Sequence, residues 1–266
     1  MAEDRVVTSR YNYTDACDKI RELTGKDTMY YSNQLEDGIQ EVYEAGLAAG
    51  GGGTSNVDWW NSYLGYNEST GEYERTSFRY GFFGSGWNDT TFNPHVTICP
   101  TDARYMFQYT SVSYVNSSMV DLTKCSEIRN MFQNSDVVEV ELDVTSPVSL
   151  DYTFNNCAKL KKVSLTIDAG NTFTANTFSM SSNIAELYLT GSLGKNGLNI
   201  SNLTKITKDS IWSVLRVCNI PGSSITVTLP STYGGTTDST ETLCTSGDLY
   251  DDFLAANQNG YTFTFA

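Results

Sequence analysis

Apolar positions follow a repeating pattern between about residue 105 and residue 190. A phenylalanine is followed each time by a short segment in which apolar and polar residues alternate. The three segments read Val137-x-x-Val140-x-Leu142, Leu160-x-x-Val163-x-Leu165 and Ile184-x-x-Leu187-x-Leu189. Their phenylalanines are Phe132, Phe154 and Phe178, and Phe107 lies one further step upstream of Phe132. The nearly constant spacing falls within the period typical of leucine-rich repeats.

The alternation predicts a β-strand in each repeat, with one face inward and one face in solvent. A single repeat is too short to bury its apolar side, so the repeats are expected to stack into a solenoid with a parallel sheet. Phe132, Phe154 and Phe178 would then form one buried column. The alternative is an ordinary α+β domain in which the spacing is a coincidence.

The same alternation predicts which side chains point outward. Glu139, Lys162 and Glu186 should form a row of alternating charge across three neighbouring strands, which is mildly stabilising. The candidate exposed binding face comprises Glu139, Glu141, Lys162, Ser164, Glu186 and Tyr188. The alternative is a solvated sheet face that binds no ligand.

The whole chain divides into five segments and is predicted to be of the α+β class. Residues 1–46 form a small helical module, and residues 47–56 form a glycine-rich linker. Residues 57–104 are rich in aromatic side chains and are expected to cap the solenoid of residues 105–190. Residues 191–266 are expected to form an α/β cap at the other end.

The N-terminal module is predicted to contain two short helices. Such helices are marginal on their own, so their apolar faces are expected to meet another chain, either a second copy or a structural subunit. The residues predicted to dock are Ile20, Leu23, Leu35, Ile39 and Val42.

The C-terminal cap is predicted to run helix, strand, helix, strand. Ile211, Val214, Leu215 and Cys218 lie on one helical face. Residues 224–229 alternate as a strand, residues 248–257 are expected to be helical, and residues 261–265 form a last strand.

Composition narrows the range of functions. Seventeen basic residues stand against 31 acidic ones, a net charge of −14, which disfavours binding to nucleic acid or to an anionic membrane. No C-x-x-C pair, nucleophile–base set or phosphate loop is visible, so we expect no catalytic, cofactor or metal site. The first residues lack the apolar core of a secretory signal, and no run is long enough to span a membrane. The six scattered cysteines are therefore expected to be free and buried.

Several segments resemble one family. Residues Asp15-Ala-Cys-Asp-Lys-Ile-Arg-Glu-Leu-Thr-Gly25 resemble the "AIREKTG" N-terminal module of bacteriophage and prophage tail-associated proteins. Further matching stretches are Trp59-Trp60-Asn-Ser-Tyr63, Tyr80-Gly-Phe-Phe-Gly-Ser-Gly-Trp87, Pro100-Thr-Asp-Ala-Arg-Tyr-Met-Phe107, Gly194-Lys-Asn-Gly-Leu-Asn-Ile200 and Asn259-Gly-Tyr-Thr-Phe263. These are similar to leucine-rich-repeat (BspA-like) proteins of phages. Cys17, Leu23 and the closing Phe-Thr-Phe depart from the family pattern but keep its apolar positions.

The resemblance implies a non-enzymatic virion protein: a tail, baseplate or surface-appendage subunit, made in the host bacterial cytoplasm. Its N-terminal helices would attach it to other virion proteins or to copies of itself, and its solenoid would project towards a host surface receptor. The alternative is a bacterial cell-surface or secreted adhesin with the same type of repeat.

Overall fold

The computed structural model describes residues 66–67, 69–73, 76–79, 81–82, 92, 94, 96–234 and 249–266. The predicted N-terminal helices, with Ile20, Leu23, Leu35, Ile39 and Val42, lie outside the described residues, as does the glycine-rich linker. The strands are β1 (Tyr66–Asn67), β2 (Glu72–Tyr73), β3 (Tyr114–Asn116), β4 (Glu139–Val144), β5 (Lys162–Ile167), β6 (Glu186–Gly191), β7 (Ile225–Leu229) and β8 (Tyr261–Phe265). The helices are α1 (Lys208–Val217), α2 (Tyr250–Gln258) and a 3-10 turn at Ser231–Tyr233.

The predicted solenoid with parallel strands is confirmed. Strands β3, β4, β5 and β6 lie side by side in sequence order and all run parallel. Val140 pairs with Val163, which pairs with Leu187, and all three side chains are fully buried. Because side chains alternate between the two faces of a strand, this register directs the side chain at every apolar position of the repeat into the interior.

The predicted phenylalanine column is also confirmed. Ring centroids are 5.7 Å apart between Phe132 and Phe154 and 5.6 Å apart between Phe154 and Phe178, and each pair of rings is within 6° of parallel. The column continues upstream through Phe107 to Phe82, which stacks on Phe107 at 5.0 Å. Phe82 lies in the segment predicted to be a cap, so the stack extends further than the alternating segments indicate.

The turns that carry Phe107, Phe132 and Phe154 hold left-handed residues two positions before and two positions after the ring, and the turn of Phe178 holds one, Met180, after it. In the repeat of Phe132 these are Asn130 and Asn134, with φ of 61° and 58°. Asparagine is enriched in this region because its short polar side chain tolerates it. The turn places the amide of Phe132 against the carbonyl of Thr153 in the next repeat, at 3.0 Å. Part of the backbone hydrogen bonding of each repeat is therefore made with the neighbouring repeat.

Helix α1 closes the C-terminal edge of the sheet. Its predicted apolar face is confirmed, with Ile211 and Val214 fully buried. Two serines of the helix replace the missing next strand. The Leu187 amide donates to Ser210 Oγ at 2.9 Å, and the Leu189 amide donates to Ser213 Oγ at 3.2 Å. An unpaired strand edge invites association with other chains, and here a helix covers it.

The remainder of the cap follows the predicted order of elements. Strands β7 and β8 pair in parallel, with α2 preceding β8, and an isolated parallel bridge joins Asn199 to Thr228 of β7. The buried Tyr261 donates its hydroxyl to the Leu193 carbonyl at 2.5 Å. The Thr207 amide donates to the Ala185 carbonyl at 2.9 Å, so the cap continues the backbone ladder of the solenoid.

One expectation about the cysteines is wrong. Cys125, Cys157 and Cys218 are free and buried as expected, but Cys99 is exposed. It follows Ile98, which points inward and is fully buried, so the strand-like alternation turns Cys99 outward. Burial raises the pKa of the Cys157 thiol to about 12, and that thiol donates to the Phe132 carbonyl at 3.0 Å.

Candidate functional site

The predicted face is formed by the outward side chains of strands β3 to β6. Along β4, the even positions Val140, Leu142 and Val144 are buried while Glu141 and Asp143 are exposed. Strands in parallel sheets are usually covered on both faces, so an open parallel face lined by polar groups is unusual. Solenoids use such regular surfaces for binding.

The first row of the face brings together Tyr114, Glu139, Lys162 and Glu186, which pair in register from β3 to β6. The predicted row of alternating charge is therefore present. Lys162 Nζ donates to Glu139 Oε1 at 2.6 Å, and this hydrogen bond raises the pKa of Lys162. The ion pair is partly exposed, so its contribution to stability is small, but it holds both side chains in place.

The second row contains Asn116, Glu141, Ser164 and Tyr188. It is linked to the first row by hydrogen bonds. The Tyr114 hydroxyl donates to Glu141 Oε2 at 3.3 Å, and Asn116 Nδ2 donates to the same hydroxyl at 2.9 Å. One end of the face is therefore a connected polar network.

Tyr188 holds the other end of the face. It lies on the same face of β6 as Glu186, two residues earlier. Burial and the negative charges of Glu186 and Asp209 raise the pKa of Tyr188 above its ordinary value. The phenol therefore remains a neutral donor at physiological pH, with a partly exposed ring.

Two residues of the face were missed by the sequence interpretation, Tyr114 and Asn116. Their strand has the apolar pair Val112 and Val115, one repeat before Val137 and Val140. Ser117 stands at the third position of the pattern, where the other repeats have an apolar residue, so the alternation stops early there. The step from Val115 to Val140 equals the step from Phe107 to Phe132, and this equality was the signal that could have identified them.

The face offers hydrogen-bond donors, acceptors and two phenol rings on a rigid sheet. Four carboxylates (Glu139, Glu141, Asp143 and Glu186) accompany the ammonium of Lys162, so the face favours neutral or cationic ligands over anionic ones. Such a surface can bind neutral hydroxyl-bearing groups through hydrogen bonds and ring contacts.

Two other kinds of feature are absent from the described residues. Within these residues, no group of three or more histidine, cysteine or acidic side chains is placed to hold a metal ion. None of the helices in the described part of the chain is long and apolar enough to cross a membrane.

Comparison of the chain with protein families, with characterised proteins and with solved structures finds no match.

Proposed function

We propose that this chain is a non-enzymatic structural protein of a bacteriophage particle, a subunit of the tail, the baseplate or a surface appendage. Its N-terminal helices attach it to other virion proteins or to copies of itself. Its solenoid, with repeats of the leucine-rich type, projects from the particle and contacts the host surface through the open sheet face.

The observation that carries the binding role is the open parallel sheet. Its outward residues are hydrogen-bonded to one another, as in the network of Tyr114, Asn116 and Glu141, and no second layer of the described residues covers them. Preorganised polar side chains lose little freedom on binding, which favours affinity. The assignment to a phage particle rests on the resemblance of the sequence segments.

Location on a particle tests the first part of the proposal. Particles would be collected from the bacterium that carries the gene and labelled with an antibody against the solenoid for electron microscopy. We expect label on the tail, baseplate or appendage. Label on the bacterial surface and none on particles would contradict the proposal and favour the adhesin alternative.

The attachment role is tested with the N-terminal helices. Replacing Ile20 and Ile39 together by Asp should abolish assembly into the particle, since a carboxylate in an apolar interface is strongly unfavourable. Arg21→Asp with Gln40→Asp is the matched control, because these positions lie off the predicted apolar faces. Equal assembly of both variants would refute the docking role.

The binding role of the sheet face is tested with its two tyrosines. Tyr114→Ala with Tyr188→Ala should weaken binding of the full chain to host cells by about tenfold or more, because tyrosines are frequent hot spots at interfaces. Tyr109→Ala is the control, since Tyr109 is exposed in a turn away from the sheet face. Unchanged binding by the double variant, with its fold intact by circular dichroism, would exclude this face as the contact surface.

A further inference from the structure

The charge of this chain is unevenly distributed. Residues 157–208 contain six lysines and two carboxylates, a net charge of +4, within a chain whose net charge is −14. All six cations are lysine, although the whole chain also contains arginine. This stretch spans the last repeats of the solenoid, where the chain turns into β5, β6 and α1.

Three of these lysines border one open groove beside the sheet. Lys159, Lys161 and Lys205 line it together with Asn183, Glu186 and the aliphatic side chains of Val138, Ala158 and Ala185. Backbone hydrogen bonds align the groove across three repeats. The Lys161 amide donates to the Val138 carbonyl and the Ala185 amide donates to the Lys161 carbonyl, each at 2.9 Å.

The groove keeps a net positive charge, because its three lysines outnumber the one lining carboxylate, Glu186. Lys205 Nζ donates to the neutral amide oxygen of Asn183 at 2.6 Å, and within the described residues neither Lys161 nor Lys205 forms a salt bridge. Lys159 pairs with Asp136 at 2.7 Å, but both side chains are largely exposed. Such surface pairs are weak and can exchange partners.

We propose that this lysine groove binds a linear phosphate polymer that lacks aromatic bases. Lysine acts as a point charge that suits single phosphate oxygens, whereas arginine is preferred for planar two-pronged recognition. The aliphatic lining offers no ring on which a nucleobase can stack. Stacked repeats are roughly 4.8 Å apart, which separates the backbones of Lys159 and Lys205 by about 10 Å, so the two lysines can contact separate phosphates of one polymer.

The test is fluorescence anisotropy with labelled inorganic polyphosphate and the full-length chain. The groove variant is Lys161→Gln with Lys205→Gln. The control is Lys124→Gln with Lys195→Gln, which removes the same charge from exposed lysines outside the groove. We expect the groove variant to lose at least about tenfold in affinity. The slope of log affinity against log salt concentration should also become shallower by about one to two. The control should lose less than about twofold.

The other outcomes overturn the proposal. Failure of the parent chain to bind polyphosphate, or equal loss in the two variants, would show that the groove is not a site. Tighter binding of an oligothymidylate would contradict the exclusion of bases, and tighter binding of polyglutamate would contradict the preference for phosphate. Circular dichroism of both variants, in which only exposed lysines are replaced, checks that the fold is retained.

Discussion

In the body of the solenoid, the backbone of each repeat meets a near copy of itself, whereas in the C-terminal cap it meets different elements. The Phe154 amide donates to Thr177 of the next repeat at 3.0 Å. Beyond β6 the described residues contain no further strand of this sheet, and the serines of α1 take the place of a strand. The body therefore depends on stacking of equivalent residues, and the cap depends on individual side chains that end the stack.

The two regions also differ in how they form left-handed turns. Among the described residues, every non-glycine residue with positive φ lies between Tyr105 and Met180, in the body. Asn156 Nδ2 donates to Asn134 Oδ1 at 2.8 Å, so equivalent left-handed side chains stabilise each other across repeats. In the cap such positions are glycines. A Cβ at Gly197 would collide with the carbonyl oxygen of Phe173. Left-handed positions in the body therefore have room for side chains, whereas in the cap the close approach of another backbone excludes them.

The largest effect is expected in the middle of the phenylalanine column. Phe154→Ala should lower the free energy of unfolding by about 3–5 kcal/mol, because it removes a fully buried ring that stacks on both neighbours. Urea denaturation followed by circular dichroism measures the change. Phe154→Leu is the control and should cost less, since it leaves a smaller cavity. A loss below about 1 kcal/mol for the alanine variant would refute the central role of the column.

An intermediate effect is expected where the cap meets the last strand. Ser213→Ala should lower the free energy of unfolding by about 1–3 kcal/mol, because the buried Leu189 amide loses its acceptor and the Leu187 carbonyl loses a donor. Ser182→Ala, at an exposed serine of the body, should be close to neutral. Equal effects in the two variants, measured by the same urea denaturation, would mean that the α1 serines do not replace a strand.

The smallest effect is expected to be stabilising. Met180 has φ of 62° and is 68% exposed, so its side chain strains the backbone and gains little from packing. Met180→Asn should raise the free energy of unfolding by about 0.5–1 kcal/mol, since asparagine tolerates this conformation. Met180→Ala keeps the backbone strain and should give no gain. A destabilised asparagine variant would indicate that Met180 makes a contact that stabilises the turn.

Much of the fold could be predicted because the repeat carries two signals, the alternation within each strand and the nearly constant distance between strands. Val140-x-Leu142 alternates with period two, which assigns a face to every neighbour, and the repeat length then sets Glu139 beside Lys162. The predicted helix of Ile211 and Val214 was equally clear from its apolar face. Prediction failed where that signal is interrupted, as at Ser117, and the face residues Tyr114 and Asn116 were missed with it.

The sequence by itself determined the strand faces, the phenylalanine column and the row of Glu139, Lys162 and Glu186. These follow from local alternation and a nearly constant period, which are written directly along the chain. Only the tertiary structure decided that Ser210 and Ser213 complete the edge of β6, and that Lys161 and Lys205 line one groove. These placements depend on how the turns between repeats bring together residues that are distant along the chain, and local patterns do not encode that geometry.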